Sequence, residues 1–287
     1  MLAAAAVTLR VAVVTPNFNM AGYLAETIDS VLANLRPRDE YFVIDGASTD
    51  GSADVIRRYA DRLTGWVSEP DRGYADALRK GFARATGDIL CWINAGDLLL
   101  PGALDAAREA LEATGADMIF GDDFYIDEDG KVISFSRGYV RDLRAAMLYG
   151  GWTPLQDACF WRRSLYERVG GIDPELRYAA DYDLFLRFAM TGKTTYVPKA
   201  FSAFRRHAGQ KSISGAPAYR RERATVRRRG LARAADSPAV RALRATWHGL
   251  AVRWRVRVAQ RRWTRNDLRG TPIGALTCQA CWPPASG

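Results

Sequence analysis

The 287-residue sequence predicts an α/β fold: a mostly parallel central sheet with flanking helices, then a basic helical C-terminal tail. Three observations predict it. Short apolar or β-branched runs alternate with stretches of helical spacing from residue 10 to residue 114. The run Ile89–Ile93 is uninterrupted and stops on Asn94-Ala95-Gly96-Asp97, as a strand buried on both faces does. Charge is divided: 19 Lys and Arg against three acids lie between Arg205 and Arg269, a local +16 that leaves the rest at −7 within a whole-chain charge of +9.

Arg10–Thr15 is a β-branched run and reads as the first strand, broken by Pro16-Asn17-Phe18-Asn19. Leu24, Ile28, Val31, Leu32 and Leu35 then recur at helical steps over Ala21–Leu35. Glu40–Asp45 is the second strand; Gly46–Gly51 is a turn, and Ser52 is expected to cap a helix through Tyr59. Gly65–Ser68 is a third strand and Ala75–Ala85 a helix. The central strand follows, then a helix from Pro101, which suits a first helical turn, to Thr114. Strands and helices alternating at this spacing imply right-handed crossovers. Beyond Asp117 the pattern changes. Met118–Gly121 reads as a strand, Phe124–Ser136 as a hairpin turning at Asp127–Gly130, and Ala158–Trp161 as a strand. Ser164 is expected to cap a short helix ending near Gly170-Gly171; Asp181–Thr191 is a helix and Lys193–Val197 a strand bounded by Pro198.

No run approaches the roughly 18 apolar residues of a membrane span. The opening Met1–Val7 lacks a charged start and runs into the first strand, so it is not read as a signal peptide. Four cysteines fit a reducing compartment: Cys91 and Cys159 read as core residues, and Cys278-x-x-Cys281 has no second ligand pair for zinc. The expectation is a cytoplasmic protein.

Polar residues close four successive strands: Thr15-Pro16-Asn17, Asp45, Glu69-Pro70-Asp71-Arg72-Gly73 and Asn94-x-x-Asp97. Each alone is ordinary turn chemistry. Together they would line one crevice at the carboxyl edge of the sheet, where open α/β sheets bind ligands. Asp97, beside the flexible Gly96, is a hard oxygen ligand able to hold a divalent cation and through it a phosphate; a helix-capping role is equally compatible with this segment. A Gly-x-Gly-x-x-Gly after the first strand and a Gly-x-x-x-x-Gly-Lys-Ser/Thr are both missing, which argues against dinucleotide dehydrogenases and P-loop NTPases.

These blocks resemble the family 2 glycosyltransferases of the GT-A fold. The resemblance is carried by Val14–Asn19, Val43–Gly51, Ser68–Gly73 with Asp76-Ala77 and Lys80-Gly81, Ala85–Asp88 leading into Trp92–Asp97, Asp181–Arg187, and Phe204–His207 with Ser212 after it. It runs from about Arg10 to Ser212. It implies residues 1–214 as a catalytic domain and 215–287 as an extension. It implies that Thr15, Pro16, Asn17, Asp45 and Asp71 hold the nucleotide, with Lys80 and Asn94 beside them. It further implies that Asp97, with His207, binds Mn²⁺ or Mg²⁺ on the diphosphate, and that Asp181 is the general base of an inverting transfer. The implied donor is a nucleotide-diphosphate sugar, UDP-sugar first, and the implied acceptor a glycan or lipid-linked hydroxyl in polysaccharide assembly. The acceptor pocket is expected between Phe124 and Trp152.

The sequence departs from the family at two places. The metal block commonly has a second acid where Gly96 stands, and the base is often preceded by Glu where Ala180 stands. A Gln-x-x-Arg-Trp motif is missing, which argues against a processive synthase. The alternatives are a non-catalytic nucleotide-sugar or glycan-binding module, favoured by Gly96, and a sugar nucleotidyltransferase, for which Pro16–Asn19 lacks the Gly-rich basic loop. From Pro238, Val240, Leu243, Trp247, Leu250, Trp254 and Val258 recur at steps of three and four among arginines, a basic amphipathic pattern. It suits peripheral binding to an anionic membrane surface or packing on the catalytic domain; Val252–Val258 also alternates like a strand. A nucleic-acid partner is not expected, for want of a binding motif.

Overall fold

A computed structural model describes residues 9–207, 209–210, 216–234, 243–244, 246–247, 250 and 268–278. Its strands are β1 (Val11–Asn17), β2 (Glu40–Asp45), β3 (Gly65–Ser68), β4 (Ile89–Trp92), β5 (Leu98–Leu99), β6 (Met118–Ile126), β7 (Val132–Ser136), β8 (Cys159–Arg162) and β9 (Thr194–Arg205). Its α-helices are α1 (Ala21–Leu32), α2 (Ser52–Arg58), α3 (Tyr74–Phe82), α4 (Ala103–Thr114), α5 (Leu143–Leu148), α6 (Arg163–Arg168), α7 (Ala180–Thr191) and α8 (Ala216–Arg233).

All nine strands form one sheet, in the order β3-β2-β1-β4-β8-β6-β9-β5, with β7 on β6. The parallel order expected from the sequence holds for β3-β2-β1-β4 and for β6 with β9. The others join antiparallel. Alternate residues of the central strands point to opposite faces. Val11 and Val13 pack with Leu24, Ile28 and Val31 of α1 and Leu104 and Leu111 of α4. Ala12 and Val14 pack with α3 and the α5–α7 side, where Trp92, Trp161, Phe185 and Phe188 form a buried aromatic group.

The β1 entry is fixed by charge. Asp39 accepts from Val11 N at 2.9 Å and pairs with the Arg108 guanidinium, whose Nε donates to Leu9 O at 3.0 Å. Both side chains are buried, and Arg108 also pairs with Asp105 at 2.6 Å, so it is removal of Arg108 that strands the Asp39 charge and would cost about 3–5 kcal/mol.

Several boundaries differ from the sequence expectation. Strand β9 continues through Pro198 to Arg205, because its register against β6 shifts between Phe120 and Asp123 and accommodates the missing N–H in an irregular stretch. The expected strand and hairpin arm around Gly121 are one nine-residue strand, β6; its turn to β7 at Asp127–Gly130 is as expected. Ser52 does not cap α2. It is the first helical residue, and its N–H and hydroxyl both donate to Asp50 Oδ1, at 3.0 and 2.6 Å. Ser164 likewise lies inside α6, which opens at Arg163. Pro101 precedes α4, separated from it by Gly102 at φ +82°. β5 and α5 have no counterpart in the sequence expectation.

Two parts of the C-terminal extension return to this body. α8 lies on α5 and α7, with Val226 and Gly230 buried. Residues 268–278 lie along the β6–β7 hairpin, where Val132 N donates to Thr271 O at 3.0 Å and Gly270 N to Val132 O at 2.9 Å. Leu243, Trp247 and Leu250 are exposed; Ser212, Val240, Trp254, Val258 and Cys281 fall outside the described residues, as do the first eight. Cys91 and Cys159 are buried free thiols, as expected.

Gly121 is pinned by the packing of β6 on β9. A Cβ there would lie 2.4 Å from the Phe201 ring and 2.5 Å from Lys199 O. Gly121→Ala is expected to cost about 1–3 kcal/mol, read as a lowered melting temperature, since backbone must move to admit the methyl.

Candidate active site

The carboxyl ends of β1, β2, β3 and β4 meet at one edge. Gly46 N donates to Asn17 O at 2.9 Å and Ala95 N to Pro16 O at 3.4 Å, so the three turns after β1, β2 and β4 are tied side by side.

Asp45 is the hub of one half. Its Oδ1 accepts from Asn17 Nδ2 at 2.6 Å and Ser48 Oγ at 2.5 Å. Its Oδ2 accepts from Ser48 N at 3.0 Å and Ser68 Oγ at 2.5 Å. Burial alone would push this carboxyl up; the hydrogen bonds from Ser48, Ser68 and Asn17 win and hold it below the usual carboxylate range. Asp71 lies over the same strand end. Its Oδ1 accepts from Gly73 N at 2.8 Å, and a Cβ on Gly46 would come within 2.6 Å of its Oδ2. Lys80 secures that loop through Pro70 O at 3.1 Å and Glu69 at 2.8 Å. Thr15 departs from expectation: it is fully buried with its hydroxyl 2.9 Å from Tyr41 Oη, so its side chain serves the core rather than the crevice. The cause is alternation along β1, which puts Thr15 on the face of Val11 and Val13. Pro16 lies where β4 no longer pairs with β1, so no sheet hydrogen bond to β4 is lost. Asn17 Oδ1 is a buried acceptor without a partner among the described residues.

The other half is built on Asp97. Its Oδ1 accepts from Arg205 N at 3.1 Å and its Oδ2 from Asn94 Nδ2 at 3.2 Å. The turn is held from α1: Thr27 Oγ1 donates to Asp97 O and accepts from Gly96 N, both at 2.9 Å. Gly96 has φ +108°, a conformation that L side chains rarely adopt, so its backbone accounts for the glycine. Arg205 Nε donates to Gly96 O at 2.9 Å. His207 is half-buried, its ring 5.6 Å from that of Tyr23; burial lowers its pKa, with Glu128 opposing and Arg205 adding to the effect.

Three buried carboxyls gather here: Asp97, Asp123 and Asp157. Asp157 sits in the 3-10 turn before β8; both its oxygens and Asp123 Oδ2 lack a hydrogen-bond partner among the described residues. Asp97 is pushed well up, by burial first and by the Asp157 charge second. Asp123 is raised for the same two reasons, and Asp157 is raised by burial to about 6. Sequence reasoning missed Asp123 and Asp157. The available signal was the acid pair Asp122-Asp123 directly after the apolar run Met118–Gly121, and the single acid Asp157 directly ahead of the apolar run Ala158–Trp161.

Asp181 stands in the first turn of α7. Its Oδ1 is buried without a partner among the described residues, and its pKa is raised by burial to about 6 against the pull of backbone N–H groups and Arg223. Tyr74, immediately after the Asp71 loop, joins it to the Asp45–Asp71 half: Tyr74 Oη accepts from Ala180 N at 3.0 Å. The Cys159 thiol, raised first by burial, also feels Asp157, Asp181 and Asp123, which places these acids in one neighbourhood.

The comparisons with known proteins agree with this geometry. The model of Glycosyl transferase family 2 matches residues 12–208. The chain belongs to this family. It is 29% identical over 227 residues to an uncharacterized glycosyltransferase of Nostoc, covering 73% of this chain and 69% of that one. Among solved structures, Pyrobaculum calidifontis mannosyltransferase PcManGT, crystallised with GDP-Man and Mn²⁺, superposes with TM-score 0.61 at 23% identity, over 89% of this chain and 74% of that one. Staphylococcus aureus TarS 1-349 in complex with UDP gives TM-score 0.62 at 16% identity, over 83% and 70%. The chain covers 37% of a longer TarS structure. These glycosyltransferases share the GT-A fold with this chain.

Asp157 gives a test of the acid cluster. Its folded pKa lies above its unfolded one, so the folded protein binds the extra proton and loses stability as pH rises from about 4 through about 6. Asp157→Asn removes that charge and offers Asp123 an amide donor. In chelator-treated protein it is expected to raise stability by about 1–3 kcal/mol at pH 7.5 and to have little effect below pH 4, read by denaturant melts at the two pH values.

Proposed function

We propose that this chain is an inverting glycosyltransferase. It moves one sugar from a nucleotide-diphosphate sugar, UDP-sugar first, to a hydroxyl of a glycan or lipid-linked acceptor. The observation that carries the reading is Asp181: a carboxylate with one oxygen unpartnered among the described residues and a pKa of about 6, tied through Tyr74 to the Asp71 loop and sharing its neighbourhood with Asp123 and Asp157. A general base poised near working pH is what deprotonation of a hydroxyl requires.

The nucleotide would lie along the β1–β3 ends. Asn17 Oδ1 is free to take a base N–H, and a base or ribose donor at Asp45 would replace one of the serine hydroxyls it now holds. Asp71, seated on Gly46 and backed by Lys80, closes that side. Asn94 and the peptide groups around Thr15 and Pro16 complete the wall.

Asp97 suits Mn²⁺ or Mg²⁺, since Asp157 pushes it up, Asp97 and Asp157 push Asp123 up, and Arg205 and Asn94 oppose this only in part at Asp97, a crowding of carboxyls that a cation would relieve. Among the described residues no three His, Cys, Asp or Glu side chains form a metal site by themselves. The cation would therefore lean on Asp97, on His207 by family resemblance, and on diphosphate oxygens and water. Bound there, it would stabilise charge on the departing diphosphate. Asp181 takes the acceptor hydroxyl proton, the acceptor oxygen bonds to the anomeric carbon, and the bond from that carbon to the diphosphate breaks with its electron pair. One in-line displacement inverts the centre.

The binding-module alternative rested on Gly96, and the φ of +108° there gives a backbone reason for glycine at this position, which weighs against reading it as a lost metal ligand. The exposed Leu243, Trp247 and Leu250, which follow the arginine-rich α8 in the sequence, support contact of the extension with an anionic membrane surface at the inner face of the membrane. Among the described residues no helix is long and apolar enough to cross a membrane.

Thermal melts with UDP, GDP, CDP and dTDP, each with and without Mn²⁺, test the donor half. One nucleotide at a hundred times its dissociation constant should add about 2.7 kcal/mol. The shift should require metal and vanish in Asp97→Ala; silence from all four nucleotides would sink the reading. For the chemistry, Asp181→Asn should lower turnover by about 10²–10⁴-fold while leaving the nucleotide shift intact. The wild-type rate should rise with pH through about 6, because Asp181 must be ionised to act.

A further inference from the structure

Helix α8 lies beyond the matched family segment, yet one of its side chains reaches the backbone that carries Asp181. Tyr219, Glu222, Arg223, Val226, Arg227 and Gly230 recur at helical steps and form the face turned to the body. Gly230 allows the approach: a Cβ there would lie 2.8 Å from Leu186 and 2.9 Å from Leu148. Arg227 Nε donates to Leu148 O at 2.6 Å, Arg223 donates to Gly151 O, and the Arg223 guanidinium lies 5.1 Å from the Tyr182 ring centre.

Glu222 is the only acid on this helix. Its Oε2 accepts from Tyr178 N at 2.8 Å and Ala179 N at 2.9 Å, and its Oε1 accepts from Arg177 N at 3.2 Å. These N–H groups lie just ahead of α7, where a helix start leaves donors unsatisfied and favours negative charge. From the opposite side Tyr74 Oη takes Ala180 N at 3.0 Å and Asp181 N at 3.4 Å, and donates to Tyr178 O at 3.3 Å. Five successive backbone N–H groups, from Arg177 to Asp181, are thus held by two side chains from distant parts of the chain.

We propose that Glu222 is a positioning residue for Asp181, so that the segment past the family match completes the active site. Glu222 touches no reacting atom; it fixes the peptide segment that aims the base. The inference rests on Asp181 being the general base. The chemistry asks for a carboxylate: three converging donors need an acceptor-only group. Glutamine offers one accepting oxygen and turns an NH₂ toward a donor, and alanine offers nothing.

The test uses the full chain with Glu222→Ala, Glu222→Gln, Asp181→Asn and the double variant Asp181→Asn/Glu222→Ala. The readouts are Mn²⁺-dependent release of nucleoside diphosphate from UDP-Glc, UDP-GlcNAc and GDP-Man with water as acceptor, and amide hydrogen exchange. Glu222→Ala is expected to lower kcat by about tenfold, as a small displacement of a base does, with the donor KM within about twofold. Glu222→Gln should recover part of that loss, and amides 177–181 should exchange faster in Glu222→Ala. In the Asp181→Asn background Glu222→Ala should cost nothing more, because the group it positions is gone. The proposal is overturned if the two losses multiply, if KM rather than kcat carries the effect, or if kcat is unchanged while only the melting temperature falls. Should Glu222→Ala not fold, the same kcat, KM and exchange criteria apply to Glu222→Gln. Full turnover in Asp181→Asn would instead remove the base reading, and this inference with it.

Discussion

A buried cation holds the site together. Arg205 is 1% exposed, and a guanidinium so placed is tolerable only when its donors are spent. Nε donates to Gly96 O, Nη1 to Asp127 O and Glu128 O, and Nη2 to Glu26, with the Tyr23 ring 4.8 Å below. One side chain therefore binds the turn after β4, the tip of the β6–β7 hairpin and helix α1. The same residue gives its backbone N–H to Asp97 and its carbonyl to Gln210. The short pairing of β5 with β9 brings the two together, since Leu98 lies opposite Ala203 and the chain then reaches Arg205 within two residues.

The two halves of the crevice store charge in opposite ways. Asp45 is buried but well supplied with donors, and its pKa falls. Asp97, Asp123 and Asp157 are buried with fewer donors than acceptors, and all three rise. That is an unfinished arrangement, costly in the bare protein, of the kind that clusters at functional sites. The strain is local because the surrounding frame is stiff: β1 and β4 lack any exposed residue and sit inside the sheet between helices on both faces.

Much of this was legible in the sequence because it depends on local pattern. The Ile89–Ile93 run, the β-branched β1 and the polar residues closing each strand gave the parallel half and the crevice edge. Pairings that depend on distant segments were not legible. Pro198 looked like a strand end, and only the register shift against β6 lets β9 pass through it. Thr15 looked like a ligand contact, and its partner Tyr41 on the next strand claims it. Asp157 looked like one acid among many, because no local pattern shows it facing Asp123 from another element. Glu222 was submerged in a run of arginines, and its role appears only when α8 is laid against α7.

The sheet order has a colloidal consequence. A nine-stranded sheet could offer long unpaired backbone edges, which recruit other chains. Here the path ends in β3, four residues long, and β5, two residues long. The remaining flank, β7, is lined by the returning segment 268–273 through Thr271 O and Gly270 N. Among the described residues the longer open edge is that of β9 outside its two β5 pairs, and there Pro198 and the register shift against β6 break the regular ladder that a neighbouring strand would have to follow.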